Sequence, residues 1–385
     1  MHALKCYLFL RLFSSAILLA AAFIAPTAFM PSDPSVAASL AKLENQGAFG
    51  RLFLAPWFRW DSISFVDIAE NGYASNLVNT ARPPLYPLLT RGIASLVSPT
   101  LLAGLIVANL AAIAAFFLLY LVAADAWDEK TARETVFGLA IFPTAFFLVA
   151  AYTESLFLAL SLGCLLAFRR SRWRLAAVLG GAAVLTRLQG IVLAAPMLWV
   201  VADAFFIKKE RNFKLLAFRL APVAFMALTW LGYAVYVHYG LHTDWPWVTL
   251  SANWYQSAGW PWQGILGNLR ALTIRPIDTP ISPPAQFFDL VLICGAMVLL
   301  VLALARKKMP AFYALYAACT LLVILVKIDN LQLLVSASRY LLVVFPVMAA
   351  AALVLNKTGK TIWYSLSIGS QMIMLVLFYW WIWVA

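Results

Sequence analysis

Apolar residues run along this chain in blocks long enough to cross a bilayer, with polar residues gathered between the blocks. Leu101 to Ala124 carries no charge at all. A hydrocarbon core of roughly 30 Å takes about 20 apolar helical residues, because lipid offers backbone amides no partners outside their own segment. Leu12 to Met30, Leu215 to Val237, Phe287 to Ala305, Ala311 to Val326, Tyr340 to Leu355 and Thr361 to Ala385 are similarly apolar or nearly so. Thr135 to Phe168 and Leu175 to Ile207 are too long for one span. The first is interrupted by Tyr152-Thr153-Glu154 and the second by Arg187, so each predicts a helical hairpin with a polar turn. The pattern predicts an all-α polytopic membrane protein of about eleven spans, organised as one domain over residues 1–385.

The composition agrees: 64% of the 385 residues are hydrophobic and 11% charged, which cannot build a soluble surface. The net charge of +12 would suggest nucleic acid in a soluble chain. With the amino terminus inside, however, the inner loops hold 18 of the 28 bases and six of the sixteen acids, so the whole excess lies on one side. The positive-inside rule accounts for it, and no nucleic-acid partner is implied. Lys5 to Ala28 also has the composition of a cleaved signal peptide, which would leave the next loop outside in either case. Pro26 predicts the outer end of the first helix. The four cysteines are scattered and imply neither disulfides nor a thiolate metal site.

Two outer segments are long enough for chemistry, residues 31–99 and 238–284. A structureless loop of the first one's length is improbable in a compact protein, which predicts interfacial helices there. Residues 58–73 scan as such a helix: Ile63, Val66, Ala69 and Tyr73 share one arc, Asp67 and Glu70 another, and Asn71-Gly72 supplies a stop. Asp61 has Phe65 and Ile68 beside it. It reads either as a partly desolvated base or as a structural partner of Arg59 or cap of the helix.

Arg82, in Arg82-Pro83-Pro84-Leu85-Tyr86-Pro87, is held in a rigid bend near Tyr86, and reads as a phosphate ligand or as an ordinary entry to the next span. Glu154 needs water, a base or a ligand hydroxyl, since an unpaired buried carboxylate costs several kcal/mol. Arg187 is its candidate ion-pair partner. Arg339, after the polar island Lys327-Ile328-Asp329-Asn330, can give an anionic lipid two parallel charged hydrogen bonds or simply snorkel to bulk lipid. His238 and His242 have a metal-compatible spacing, but Gly240 lies between them and no metalloprotease Glu follows. The tryptophans of 245–262 read as interfacial anchors, with stacking on sugar as the alternative. No Gly-rich phosphate loop follows a strand, which disfavours an ATP-driven pump.

These blocks resemble the GPI mannosyltransferase 2 family, multispanning glycosyltransferases of the GT-C class. The resemblance is carried by Arg59-Trp60-Asp61 with Gly72-Tyr73, Leu85-Tyr86-Pro87-Leu88, Pro143-Thr144-Ala145-Phe146-Phe147, Tyr152-Thr153-Glu154-Ser155, Leu185-Thr186-Arg187 with Gly190, and Ser338-Arg339-Tyr340. It spans residues 57–346 in family order. One departure is Arg82-Pro83-Pro84, where members usually carry aromatic residues, so the acceptor does not transfer across.

The resemblance implies an inverting transfer of mannose, or a related hexose, from a polyprenyl phosphate to a hydroxyl of a membrane glycolipid or glycan. Asp61 would be the base, Arg339, Arg187 and Arg82 the donor phosphate ligands, and Glu154, Tyr152, Asp67, Tyr86 and Tyr340 the sugar or acceptor ligands. It implies no cofactor or metal, only the lipid-linked sugar as substrate and the bilayer as partner. The chain is shorter than eukaryotic members, which points to a bacterial plasma membrane with the site extracytoplasmic. The competing readings are a lipid or glycolipid transporter, which should show related halves around a midplane site, and a noncatalytic scaffold.

Overall fold

The computed structural model describes residues 1–24, 34–273, 283–331 and 333–384; Pro26 and the junction that closes the second outer segment lie outside them. The architecture is helical apart from one two-residue ladder. Among the described residues six helices are long and apolar enough to cross a membrane: His2–Ile24, Thr100–Ala126, Leu188–Ile207, Phe213–Gly240, Ala285–Ala305 and Lys357–Tyr379. A multi-pass membrane protein is the outcome. The expected count of eleven is not reached on length alone.

The shortfall lies in particular places. Glu129–Ala140 has 12 residues, roughly 18 Å of helix, and Ala311–Val326 has 16, roughly 24 Å. The expected Tyr340–Leu355 span is broken: Ala337–Val343 and Pro346–Val354 meet at 82°. Pro346 has no amide hydrogen to continue the first helix and instead starts the second. The first helix begins at His2, ten residues before Leu12, and takes Lys5 and Arg11 into its body. Between Ala140 and Glu154 the backbone is irregular, with one 3-10 turn, Ala145–Leu148, and it is buried throughout. Non-helical backbone at such depth needs exactly this kind of protein cover, because lipid cannot satisfy it.

The ion pairs fall into two groups that share no residue. Five of the nine among the described residues, Arg133–Glu129, Arg169–Asp125, Lys208–Asp203, Arg219–Glu210 and Lys360–Glu134, join segments expected inside. The other four link only Asp61, Arg82, Glu154, Arg187 and Arg339. Arg11, counted among the inner bases, departs from this division: its guanidinium lies 5.0 Å from the Trp57 ring and 3.4 Å from the Val149 carbonyl.

Candidate active site

The first outer segment is helical in its described part, with Pro34–Glu44, Asp61–Asn71 and Leu85–Ala94. Asp61–Asn71 starts abruptly. Trp60 takes a positive φ of 50°, unusual for a bulky residue, and its ring is clasped edge-on by Trp381 and Trp383 at 5.8 and 5.1 Å. Asp61 is thereby the first helical residue, where the helix dipole favours a carboxylate. The helix ends as expected, with Gly72 at φ 74° donating to the Ile68 carbonyl. Its buried face is Ser62, Phe65, Ile68 and Ala69; of the arc that periodicity suggested, Ala69 lies on this face, Ile63 and Val66 are only partly buried, and Tyr73 is buried beyond the helix end. Arg59 does not pair with Asp61. It is buried and donates to the carbonyls of Ala55, Phe58 and Tyr379.

Asp61 instead sits between two arginines from distant segments. Oδ1 accepts from Arg82 Nη2 at 3.0 Å, and Oδ2 from Arg339 Nη1 at 2.8 Å. Burial alone would raise its pKa, but the Arg339 and Arg82 guanidiniums outweigh burial and hold the carboxyl well below the usual range. This corrects the expectation of a carboxylate made more basic by a dry site.

Each arginine has its own fixture. Tyr73 Oη donates to the Arg82 carbonyl at 2.6 Å, Asn79 Oδ1 accepts from Arg82 Nη1 at 3.3 Å, and the Trp254 ring lies 4.6 Å from its guanidinium. Arg339 rides on the single turn Ala337–Tyr340. The amide of Ser338 donates to Asp289 Oδ1 at 2.7 Å, and the carbonyl of Ser338 accepts from Thr144 Oγ1 at 2.9 Å. The backbone beside Arg339 is thus clamped by two other segments.

The network continues inward. Glu154, 1% exposed, accepts from Arg187 Nη1 at 2.6 Å, and Arg339 Nε lies 3.1 Å from the same oxygen, within ion-pair distance. Its second oxygen, Oε2, is buried with no hydrogen-bond partner among the described residues. Arg187 breaks its hairpin in an extended conformation, φ −150° and ψ 130°. The following turn packs so closely that a Cβ on Gly190 would come within 2.7 Å of the Val184 amide nitrogen. The anticipated Glu154–Arg187 pair is present, and Arg339 joins it to Asp61.

The remaining anticipated ligands divide. Three cations approach the Tyr340 ring, Lys327 Nζ at 4.3 Å, Arg187 at 4.6 Å and Arg339 at 5.5 Å from its centre, and its hydroxyl accepts from Lys327 Nζ at 2.6 Å. Asp67 reaches the cluster indirectly, its Oδ2 accepting from Asn79 Nδ2 at 3.0 Å. Tyr152 is buried and donates to the Arg59 carbonyl at 3.0 Å, with its ring 5.5 Å from the Arg339 guanidinium; it is a support for Arg339. Tyr86 is placed elsewhere. It is fully buried against Phe65 and donates to the Gly104 carbonyl at 2.9 Å, out of reach of a ligand at Arg82. His238 stacks on Trp245 at 4.2 Å, and His242 follows at φ 52°, beyond the π-helical turn Tyr236–Gly240, so they do not form one helical face.

Sequence reasoning gave no role to Asp289 or Asn79, and it noted Lys327 only as part of a polar island and Trp254 only among the interfacial or sugar-stacking tryptophans. Asp289 had a usable signal, a lone acid within an apolar span. Lys327 closes the Ala311–Val326 helix and is fixed by the ladder in which Ser257–Ala258 pairs antiparallel with Lys327–Ile328. Burial draws its ammonium below the usual lysine range. Beside it a cleft opens between Leu188–Ile207 and Ala311–Val326. Arg187, Gln189, Lys327 and Tyr340 form its polar head, and Phe157, Val192, Leu193, Val323, Ile324 and Val343 its apolar walls.

Fold and site together define a helical membrane protein with a largely buried, arginine-rich charge cluster. The chain belongs to the mannosyltransferase (PIG-V) family, whose profile matches residues 4–250. It is 32% identical over 155 residues to GPI mannosyltransferase 2 of Schizosaccharomyces pombe, a match covering 39% of this chain and a third of that protein's length. Two structures of the Archaeoglobus fulgidus oligosaccharyltransferase, one apo and one with Zn and sulfate, superpose with TM-scores of 0.46 and 0.43 at 13% identity. These cover 96% and 86% of this chain and 56% and 49% of the archaeal chain.

Proposed function

We propose that the protein is an inverting mannosyltransferase of GT-C type that takes its sugar from a polyprenyl phosphate and passes it to a hydroxyl of a membrane glycolipid or glycan. The observation that carries this reading is the continuous chain Arg82–Asp61–Arg339–Glu154–Arg187, assembled from separate segments. It combines an ionised acid, three guanidiniums and a partly unsatisfied second acid. Asp61 and Arg82 retain 19% and 15% side-chain exposure, so an acceptor can reach them, whereas Glu154 is closed off.

In the proposed step the acceptor oxygen attacks the anomeric carbon and its proton passes to Asp61. The bond from that carbon to the phosphate oxygen breaks, and the polyprenyl phosphate departs with the bonding pair. The leaving phosphate needs positive charge around it, not a protonating acid, so Glu154 is cast as the buried counter-charge that holds Arg187 and Arg339 in place. Asp61 is a weak base while both arginines hold it.

The expected placement of the basic loops inside, with none of their residues in the cluster, supports a site on the extracytoplasmic face. The test is incubation of the purified protein with a panel of polyprenyl-phosphate hexoses and extracted membrane glycolipids, following product mass. Hexose transfer from the mannosyl donor supports the reading; no transfer from any donor refutes it.

A further inference from the structure

We infer that the phosphate of a long-chain phosphate ester is seated between Arg187 and Lys327, at the head of the cleft walled by Leu193, Ile324 and Val343, and not on Arg339. This rests on the proposed lipid-phosphate donor and deepens it by naming the cations that receive the phosphate.

Arg339 is already committed, because it holds Asp61 at 2.8 Å and approaches Glu154 at 3.1 Å. A phosphate taking Arg339 would strip two buried or half-buried carboxylates of a shared counter-charge. Arg82 is similarly engaged by Asp61, Asn79 and Trp254. Lys327 is different. Among the described residues no carboxylate lies within ion-pair distance of it, and its hydrogen-bond partner is the Tyr340 hydroxyl. Asp329, two residues on, directs Oδ1 to the amides of Leu331 and Leu333. An ammonium offers three donors, so two remain for a ligand.

Arg187 and Lys327 also lie on the same tyrosine ring, at 4.6 and 4.3 Å. Arg187 has Glu154 as its counter-charge, whereas no carboxylate among the described residues stands opposite Lys327, so the site carries one uncompensated positive charge that an anion would neutralise. The walls beyond this head are apolar, so the matching ligand is an anion with a long hydrocarbon tail. A guanidinium and an ammonium side by side suit phosphate oxygens. Arg187 then connects the phosphate seat to Glu154, and Arg339 is the organiser that links Glu154 to Asp61.

The experiment titrates farnesyl phosphate calorimetrically into the purified full chain in phosphatidylcholine nanodiscs. Wild-type protein should bind it, Lys327→Met should bind it roughly ten- to a hundredfold more weakly, and Lys327→Arg should recover most of the loss. Lys327→Gln replaces Lys327→Met if the latter does not fold. Inorganic phosphate, lacking the tail, should bind far more weakly than farnesyl phosphate. Undiminished affinity in the uncharged Lys327 variants, with a loss in Arg339→Lys, would overturn the assignment and move the phosphate to Arg339. Abolition of farnesyl phosphate binding by phosphatidylglycerol in the discs would overturn it in favour of a bulk-phospholipid seat. Failure of the transferase reading looks different: Lys327-dependent binding would persist while no polyprenyl-phosphate hexose was ever consumed.

Discussion

Arg339 donates to Asp61 at 2.8 Å across 278 residues of sequence, and the contact determines what Asp61 can do. The guanidinium keeps the carboxylate charged and, by the same interaction, lowers its appetite for a proton.

Asp61→Asn is therefore expected to lower kcat by roughly 10²- to 10⁴-fold. Donor affinity should hold, because Asp61 pairs with Arg82 and Arg339 and not with the cations of the inferred phosphate seat. Rates of mannosyl transfer in reconstituted membranes, with the donor varied, separate the two effects. Near-normal kcat would remove Asp61 from the chemistry.

The pH dependence follows from the sign of the shift. Asp61 is held below its unfolded value of about 3.9. Its pairing thus stabilises the fold fully above that value, and the contribution is lost as pH falls toward the folded pKa. The acidic limb of kcat/KM should accordingly lie below the usual carboxylate range. Arg82→Met removes one of the two depressing charges and should move that limb upward. A limb unchanged by this substitution would show that another group sets it.

Glu154→Gln leaves Arg187 and Arg339 without their shared carboxylate in a buried site. Removing one partner of a buried pair typically costs roughly 3–5 kcal/mol, and a fall in Tm should be evident by thermal unfolding in detergent. Arg187→Met combined with Glu154→Gln should recover part of the loss. A double variant as unstable as the sum of the two singles would argue that the residues act independently.

Asp289 positions Arg339 by accepting the Ser338 amide. Asp289→Asn keeps an acceptor oxygen and should retain most activity, whereas Asp289→Leu should not. Steady-state kinetics on both variants, matched for Tm, would sink the positioning role if the two behaved alike.

Much of the site was legible because its residues are out of place in an apolar chain. Asp61, Glu154, Arg187 and Arg339 stand where a membrane protein tolerates charge only for a reason, and the structure brings all four together. Asp61's electrostatic setting was not legible, since Arg82 and Arg339 lie 21 and 278 residues away and no periodicity encodes that approach. The orientation of Asp61–Asn71 was only partly legible because its apolar residues form more than one arc, and tertiary packing buried Phe65 and Ile68 together with Ala69. Tyr86 drew attention by its proline-rich neighbourhood, yet that bend turns its ring into the protein. Lys327 was passed over because a base at the end of a span is normally an anchor; the aromatic ring it shares with Arg187 exists only in three dimensions.

The Glu154–Arg187 pair also bears on how the chain is assembled. Glu154 precedes its partner by 33 residues, so the first hairpin carries an uncompensated acid until the second is made. Arg187 therefore completes the electrostatics of the first hairpin only once the second has packed against it, which makes the two hairpins partners in folding as well as in the pocket.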